Sequence, residues 1–208
     1  MDPQVTATQA QILATLRLIS PVSVPKFRKC RVGDGADGGY VMLDDLRDIG
    51  VCYSLGIGQD VSWDIAMANG GAEIYQYDHT IERPPIAHPH FRHFRIGITH
   101  DPALAPEFKR IDALIDENGH GERDDMVLKI DIEGHEWDSL DALDAKVFGK
   151  FRQIVAEFHG MRLLNIDSFR ARADRVFSKL RRAHEVIHVH GNNFAGMAIV
   201  EGIPIADC

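Results

Sequence analysis

Charge alternates with isoleucine in Lys129-Ile130-Asp131-Ile132-Glu133, directly after the apolar run Met126-Val127-Leu128, and His135 and Glu136 follow at once. A strand inside a parallel sheet is buried on both faces and reads apolar. An unpaired ion left there is strongly destabilising. These charges are therefore expected to appear as the strand leaves the core, facing a crevice. Glu157 and His159 share a face at the exit of Gln153-Ile154-Val155-Ala156, and His188 and His190 do so in Ile187-His188-Val189-His190. Three segments would then deliver Asp131, Glu133, Glu157, His159 and His190 to one rim. Two chemistries suit such a set. An imidazole (His159, His135 or His190) can take a proton near neutral pH. Alternatively, Asp131, Glu157 and His159 can hold a divalent ion that acidifies a hydroxyl, and oxygen donors with one imidazole favour magnesium or manganese over structural zinc. Asn192 and Asn193, after His190, offer hydrogen bonds to a hydroxylated substrate or simply form a turn. Each acid has an ordinary alternative as an arginine partner or a helix cap.

A second constellation lies earlier. Gly56-Ile57-Gly58 follows an apolar run and precedes a helical pattern, a place where glycine lets the backbone approach a ligand closely. Val61 stands where a dinucleotide fingerprint needs its third small residue, so that motif is not met. Asp78 lies 78 − 56 = 22 residues beyond the first glycine, close to the ~20 expected of an acid that grips ribose hydroxyls. The pair points to a nucleoside-type cofactor.

The elements that must carry these residues alternate along the chain. A helix over Thr8–Leu18 and two short strands around Asp34-Gly35-Ala36-Asp37 form an N-terminal helix and hairpin, residues 1–48, read as a lid. From residue 49 the pattern predicts strands over VCYSLGI, AEIYQYD, HFRHFRIGI, MVLKIDIE, FRQIVAEFH and EVIHVH. Helices are predicted over DVSWDIAMAN (with Asp60 or Ser62 as cap), APEFKRIDALIDENG, HEWDSLDALDAKVFG and IDSFRARADRVFSKLRRAH. Such alternation predicts a doubly wound, mostly parallel α/β sheet with helices on both faces, its ligand sites at the carboxyl ends of the strands.

Composition narrows the class. The chain has 208 residues and a formal net charge of −8, which disfavours nonspecific attraction to nucleic acid or anionic membrane. The basic stripe Arg172, Arg175, Lys179 and Arg182 reads as a solvated helix face. No apolar run approaches a membrane span, the first residues lack a signal-peptide pattern, and Cys30, Cys52 and Cys208 are too few and too scattered for a disulfide framework. A reducing, cytoplasmic setting is expected.

Taken in order, DGGYVM, YSLGIGQDVSWD, YDHTIERPP, KIDIEGHEWDSL, RQIVAEFH and HVHGNN resemble the FkbM-like family of S-adenosylmethionine-dependent methyltransferases. The likeness spans most of residues 30–195. It implies the class I methyltransferase (Rossmann-like) fold, with Gly56, Gly58 and Asp60 along the cofactor's methionine and sugar, Asp78 on the ribose, and Asp37, Gly38 and Tyr40 near its edge. Two departures stand out. Tyr53 or Ser54 and Asp60 occupy places where many such enzymes carry an acid and a third glycine, and the sequence reaches GIPIADC without the family's usual final strand. AGMAIVEG would supply part of that edge, and an uncovered edge would invite a second copy of the chain.

The expected activity is methyl transfer to an oxygen of a small polar acceptor, such as a sugar or secondary metabolite. The catalytic set is Asp131, His159, His135 and Glu157, with Glu133, His190, Asn192 and Asn193 toward the acceptor. The alternatives are a metal-dependent hydrolase using the same rim and a binding-only protein. HEWDS lacks the second histidine of a zincin helix, and no [DN]-P-P-[YF] segment marks a base-modifying enzyme.

Overall fold

The computed structural model describes residues 6–36, 38–103, 105–192 and 196–206. Asp37 and Asn193 lie outside the described residues. Helix α1 (Ala7–Arg17) opens with a capping box in which Thr6 and Gln9 exchange backbone and side-chain bonds. Strands β1 (Lys29–Val32) and β2 (Tyr40–Leu43) pair as an antiparallel hairpin. There follow β3 (Val51–Leu55), α2 (Ser62–Asn69), β4 (Glu73–Tyr77), β5 (Phe91–Phe94), β6 (Gly97–Ile98), β7 (Phe108–Lys109) and α3 (Ile111–Glu117). The second half contains β8 (Met126–Ile130), α4 (Glu136–Asp141), α5 (Ala145–Phe148), β9 (Phe151–Ala156), a 3-10 turn (Met161–Asn165), α6 (Asp167–Leu180), β10 (Met197–Val200) and β11 (Ile203–Ala206).

Five strands form one parallel sheet in the order β5-β4-β3-β8-β9. All five residues of β3 and of β8 are buried, as central strands covered on both faces should be. The chain grows outward from β3 in one direction through β4 and β5, then returns to add β8 and β9 on the other side. The reversal falls between β3 and β8.

Alternate strand residues face two cores. Tyr53, Leu55, Tyr77, Leu128 and Ile130 pack with α3, α4, α6 and Ile12 of α1. Cys52, Ile74, Val127 and Val155 pack with Trp63 and Met67 of α2 and with Val32 and Met42 of the hairpin. Helix and hairpin residues ahead of position 49 thus belong to the same two cores as the sheet. The hairpin is further tied to β9 by Gln153, whose side chain bonds both the N–H and the C=O of Leu43. Helix α6 buries Ala173, Val176 and Phe177 along the expected stripe. Its cations face acids of α4: Arg172 pairs with Asp138 at 2.8 Å, and Arg175 and Lys179 pair with Asp141 at 2.6 and 3.3 Å. Arg182 lies past the end of the helix and is exposed, and the Arg175 side chain stays 53% exposed, so the stripe is partly a helix–helix contact and partly a solvated face.

Four expectations are corrected. Residues 185–190 are not a strand; among the described residues their one backbone bond to a remote segment runs from the Val22 N–H to the Val186 carbonyl. Side chains hold this segment beside β9, through His184 Nε2 on the Phe151 carbonyl (2.8 Å) and Asn192 Nδ2 on Glu157 Oε1 (2.7 Å). Residues 197–206 form a separate antiparallel hairpin rather than an edge of the main sheet. The helix expected from Ala105 starts only at Ile111, because Phe108 and Lys109 join a short parallel ladder with Gly97 and Ile98. The helix expected over residues 135–149 is two helices, since Asp144 is extended and caps the second by accepting the Lys146 N–H. Among the described residues no helix is long and apolar enough to cross a membrane, and Cys30 and Cys52 are free thiols.

Candidate active site at the carboxyl ends of the parallel strands

The turns after β3 and β8 touch backbone to backbone. Gly56 has φ +75, and a Cβ on it would stand 1.7 Å from the Asp131 carbonyl oxygen, so no side chain fits. The Asp131 N–H donates to the Leu55 carbonyl (2.9 Å) and the Gly56 N–H to the Tyr77 carbonyl (2.9 Å). Gly58 also has positive φ, +49, but a Cβ there would meet nothing within 4 Å. The turn is thus locked on one side and open on the other.

Asp78, at the end of β4, anchors it. One carboxylate oxygen accepts the N–H groups of Ile57 (3.1 Å) and Gly58 (3.0 Å); the other accepts the N–H and hydroxyl of Thr80 (2.8 and 2.5 Å). Burial opposes its ionisation, yet bonds from Thr80, Gly58 and Ile57 outweigh this and hold the carboxyl below its usual range. Four acceptor positions are already used, so a ribose hydroxyl would have to share or replace one. Asp60 is exposed, and its carboxylate accepts the Ser62 N–H at 2.7 Å without a full cap. Its carboxylate also crowds Gly38: a Cβ at Gly38 would lie 2.2 Å from Asp60 Oδ2. The hairpin tip therefore sits against the glycine turn.

Across the reversal lies the acid and histidine group. Asp131, Glu133 and His159 bring one ligand atom each within 4.8 Å of one another, a group that could hold a metal ion. His159 Nε2 is 3.4 Å from Glu133 Oε2 and 4.0 Å from Asp131 Oδ1. Its other nitrogen, Nδ1, faces Glu136 Oε1 at 3.2 Å. Glu136 is fully buried, and its two oxygens also accept the N–H groups of Ile132 (2.7 Å) and Gly134 (2.9 Å). The intervening turn carries Glu133 at φ 56, a left-handed angle disfavoured for a non-glycine residue, and Gly134 at φ 98. The Trp137 indole N–H fixes the far side by donating to the His159 carbonyl at 2.7 Å.

Electrostatics divide the two central groups. The hydrogen bond that His159 donates to Glu136, then the charges of Glu136, Asp131 and Glu157, push His159 up to about 9 against the cost of burial. Burial pushes Asp131 up to about 6, helped by Glu157 and Glu133 and opposed by Lys129 and His159. Near neutral pH the site therefore presents an imidazolium beside a weakly held carboxylate.

The expected rim is assembled only in part. Asp131, Glu133 and His159 come together. Glu157 is engaged by Asn192 instead, so Glu133 takes its place in the candidate metal set. His135 is exposed at the start of α4. His190 is exposed too, its ring stacked with His188 at 6.1 Å. Lys129 does not face the crevice; it is 4% exposed. Glu136 is the member sequence reasoning left out. An acid in the first helical turn just after a glycine is the signal that it reaches back to free N–H groups. A cleft of about 630 Å³ runs beside β9, and its lining includes Tyr40, Glu157, Phe158, Leu180, Asn192 and Ile205. Tyr40 links the cleft to the group through its hydroxyl, 3.5 Å from Asp131 Oδ2. Searched against protein families, curated proteins and solved structures, the chain matches none.

Proposed function

We propose that this protein is an S-adenosylmethionine-dependent methyltransferase that methylates a hydroxyl oxygen of a small polar acceptor. The observation that carries the proposal is the contact of the Gly56 turn with Asp131 at the point where the sheet reverses direction, the place where open α/β sheets bind ligands. Two features of the turn support a donor site there. Gly58 leaves open space beside the turn, and the Asp78 carboxylate holds that turn in place. Sequence likeness to FkbM-like methyltransferases through KIDIEGHEW and YSLGIGQD supports the same reading.

Held beside Gly58 and the Asp78-anchored turn, the donor would supply an electrophilic methyl whose C–S bond would break as the acceptor's C–O bond formed, the sulfur keeping that electron pair as a neutral thioether. The chain's own residues align the acceptor and remove its proton. Asp131 suits the base, because burial brings its carboxyl close to neutral pH while leaving it ionised. His159, held as a cation by Glu136, steadies the developing negative oxygen instead of taking the proton. The expected role of His159 as direct base thus passes to its neighbour.

Calorimetry with S-adenosylmethionine tests the proposal directly, and absence of binding defeats it. Asp78→Ala should abolish binding and Asp131→Ala should spare binding while stopping transfer. A second reading, a metal-dependent hydrolase, is favoured by the closeness of Asp131, Glu133 and His159 with a carboxylate behind the imidazole. A magnesium or manganese ion held there could also serve methyl transfer, by acidifying the acceptor hydroxyl. Hydrolysis lost to chelator, without affinity for S-adenosylmethionine, would establish the second reading over the first.

A further inference from the structure

Lys129 stands out as a buried cation that the proposed chemistry leaves unused. Its register partner on β3 is Ser54, whose own partner on β4 is Gln76, so three polar residues form a row across neighbouring strands. All are at most 4% exposed. Asp64 of α2, fully buried, caps the row from above and accepts the Gln76 amide N–H at 2.8 Å. Beneath lies apolar packing of Cys52, Ile74 and Val127. Ser54 Oγ, Asp64 Oδ2 and Gln76 Oε1 have no hydrogen-bond partner among the described residues. A desolvated polar layer of this kind costs stability whatever else depends on it.

What depends on it is visible at the tip of Lys129. The ammonium donates to the Gly56 carbonyl at 2.6 Å and lies 5.7 Å from the centre of the Tyr40 ring. That ring's hydroxyl in turn faces Asp131. One buried charge therefore touches the turn proposed to hold the donor and, through Tyr40 and its own field, the carboxylate proposed to receive the acceptor's proton. Resting on that functional reading, we propose that Lys129 is a positioning residue coupling the two halves of the site: it fixes the Gly56 carbonyl and, set against the Tyr40 ring, holds in place the hydroxyl that faces Asp131. The groups facing Asp131 are Lys129 on its own strand, Tyr40 from β2, Glu133 from the following turn, and Glu157 and His159 from the end of β9.

Lys129→Met keeps the length and removes the charge; Lys129→Arg keeps the charge and alters the reach. The readouts are amide exchange of Ile57 and Gly58, set against that of Ile154 in β9 as a remote sheet amide, and calorimetric affinity for S-adenosylmethionine. In Lys129→Met the Ile57 and Gly58 amides should exchange about tenfold faster while Ile154 exchanges as in wild type, and affinity should fall about tenfold, in line with losing one charged hydrogen bond. Lys129→Arg should leave the same two amides fast. Unchanged exchange of both amides in Lys129→Met, or an equal rise at Ile154, overturns the proposal. Should Lys129→Met fail to fold, an Arg variant indistinguishable from wild type in amide exchange overturns it equally. Wild-type protein that does not bind the donor refutes the functional reading alone, because amide exchange still judges Lys129.

Discussion

Replacing Glu136 by Gln tests whether the His159 imidazolium is built by the fold. Glu136 is fully buried and serves three donors: the N–H groups of Ile132 and Gly134 and Nδ1 of His159. The His159 side chain is only 17% exposed, so solvent screens the pair weakly. Its rise from 6.5 to about 9 corresponds to about 3 kcal/mol at ~1.36 kcal/mol per pH unit. Because the folded value is the higher one, that stabilisation is complete below pH 6.5 and disappears as pH climbs through about 9. Glutamine has one acceptor oxygen where the carboxylate has two, so one backbone N–H also loses its partner, worth roughly 1–3 kcal/mol at any pH. Asp131 and Glu157 hold part of the imidazolium's gain, so urea unfolding should show Glu136→Gln less stable at pH 6 by at most about 4–6 kcal/mol but by only about 1–3 kcal/mol at pH 10. Proton NMR of the His159 ring should move its midpoint from about 9 back toward 6.5. A variant whose His159 still titrates near the wild-type value, or whose stability loss is equal at both pH values, would refute the assignment.

Two glycines of the same turn should behave oppositely. Gly56→Ala drives a Cβ to 1.7 Å from the Asp131 carbonyl, so the β3 and β8 turns must separate, whereas Gly58→Ala meets open space and suffers only its positive φ. Thermal melts should show a loss beyond about 3 kcal/mol for the first and about 1 kcal/mol for the second. Asp131→Asn should stabilise the protein while ending activity. The folded carboxyl is raised from 3.8 to about 6, so its ionised form costs about 2–3 kcal/mol above pH 6 that the amide avoids. Equal or lower stability of Asp131→Asn at pH 8 would contradict this.

The sheet was legible wherever a short apolar run was bounded by glycine or aspartate, as in Val51–Leu55 and Met126–Ile130, since burial on both faces leaves few polar choices. Alternation in EVIHVH was misleading. The same spacing of Val186, His188 and His190 suits a ladder strand or an extended segment held by its side chains, and only the partner decides. Asp144 was a readable cap, but the apolar spacing on either side of it suited one long helix equally well. At the site, the meeting of Asp131 with His159 followed from exits of adjacent strands. Lys129 was hidden for the opposite reason: its companions Ser54, Gln76 and Asp64 come from three other elements, and no local pattern announces a polar row assembled across a sheet.

The split between Asp131 and His159 has a consequence for rate that neither group alone would give. Two titratable neighbours whose surroundings push them to different values tend to divide the acid and base work between them. Here the usual allocation is reversed. A histidine with an ordinary value of 6.5 would be the natural base near neutrality, but Glu136 keeps its proton on until about pH 9, and burial delays the ionisation of Asp131 until about pH 6. The proposed methyl transfer should therefore rise as Asp131 ionises near pH 6, hold a plateau, and fall as His159 loses its proton near pH 9. Each limb has an owner. His159→Gln should lower the plateau and remove the alkaline fall, and Glu136→Gln should bring that fall down toward pH 6.5 and narrow the plateau from the alkaline side. A profile with a single ascending limb at the ordinary histidine value would mean that the imidazole is the base after all, and that the carboxylate pressed against it from behind does not govern its proton.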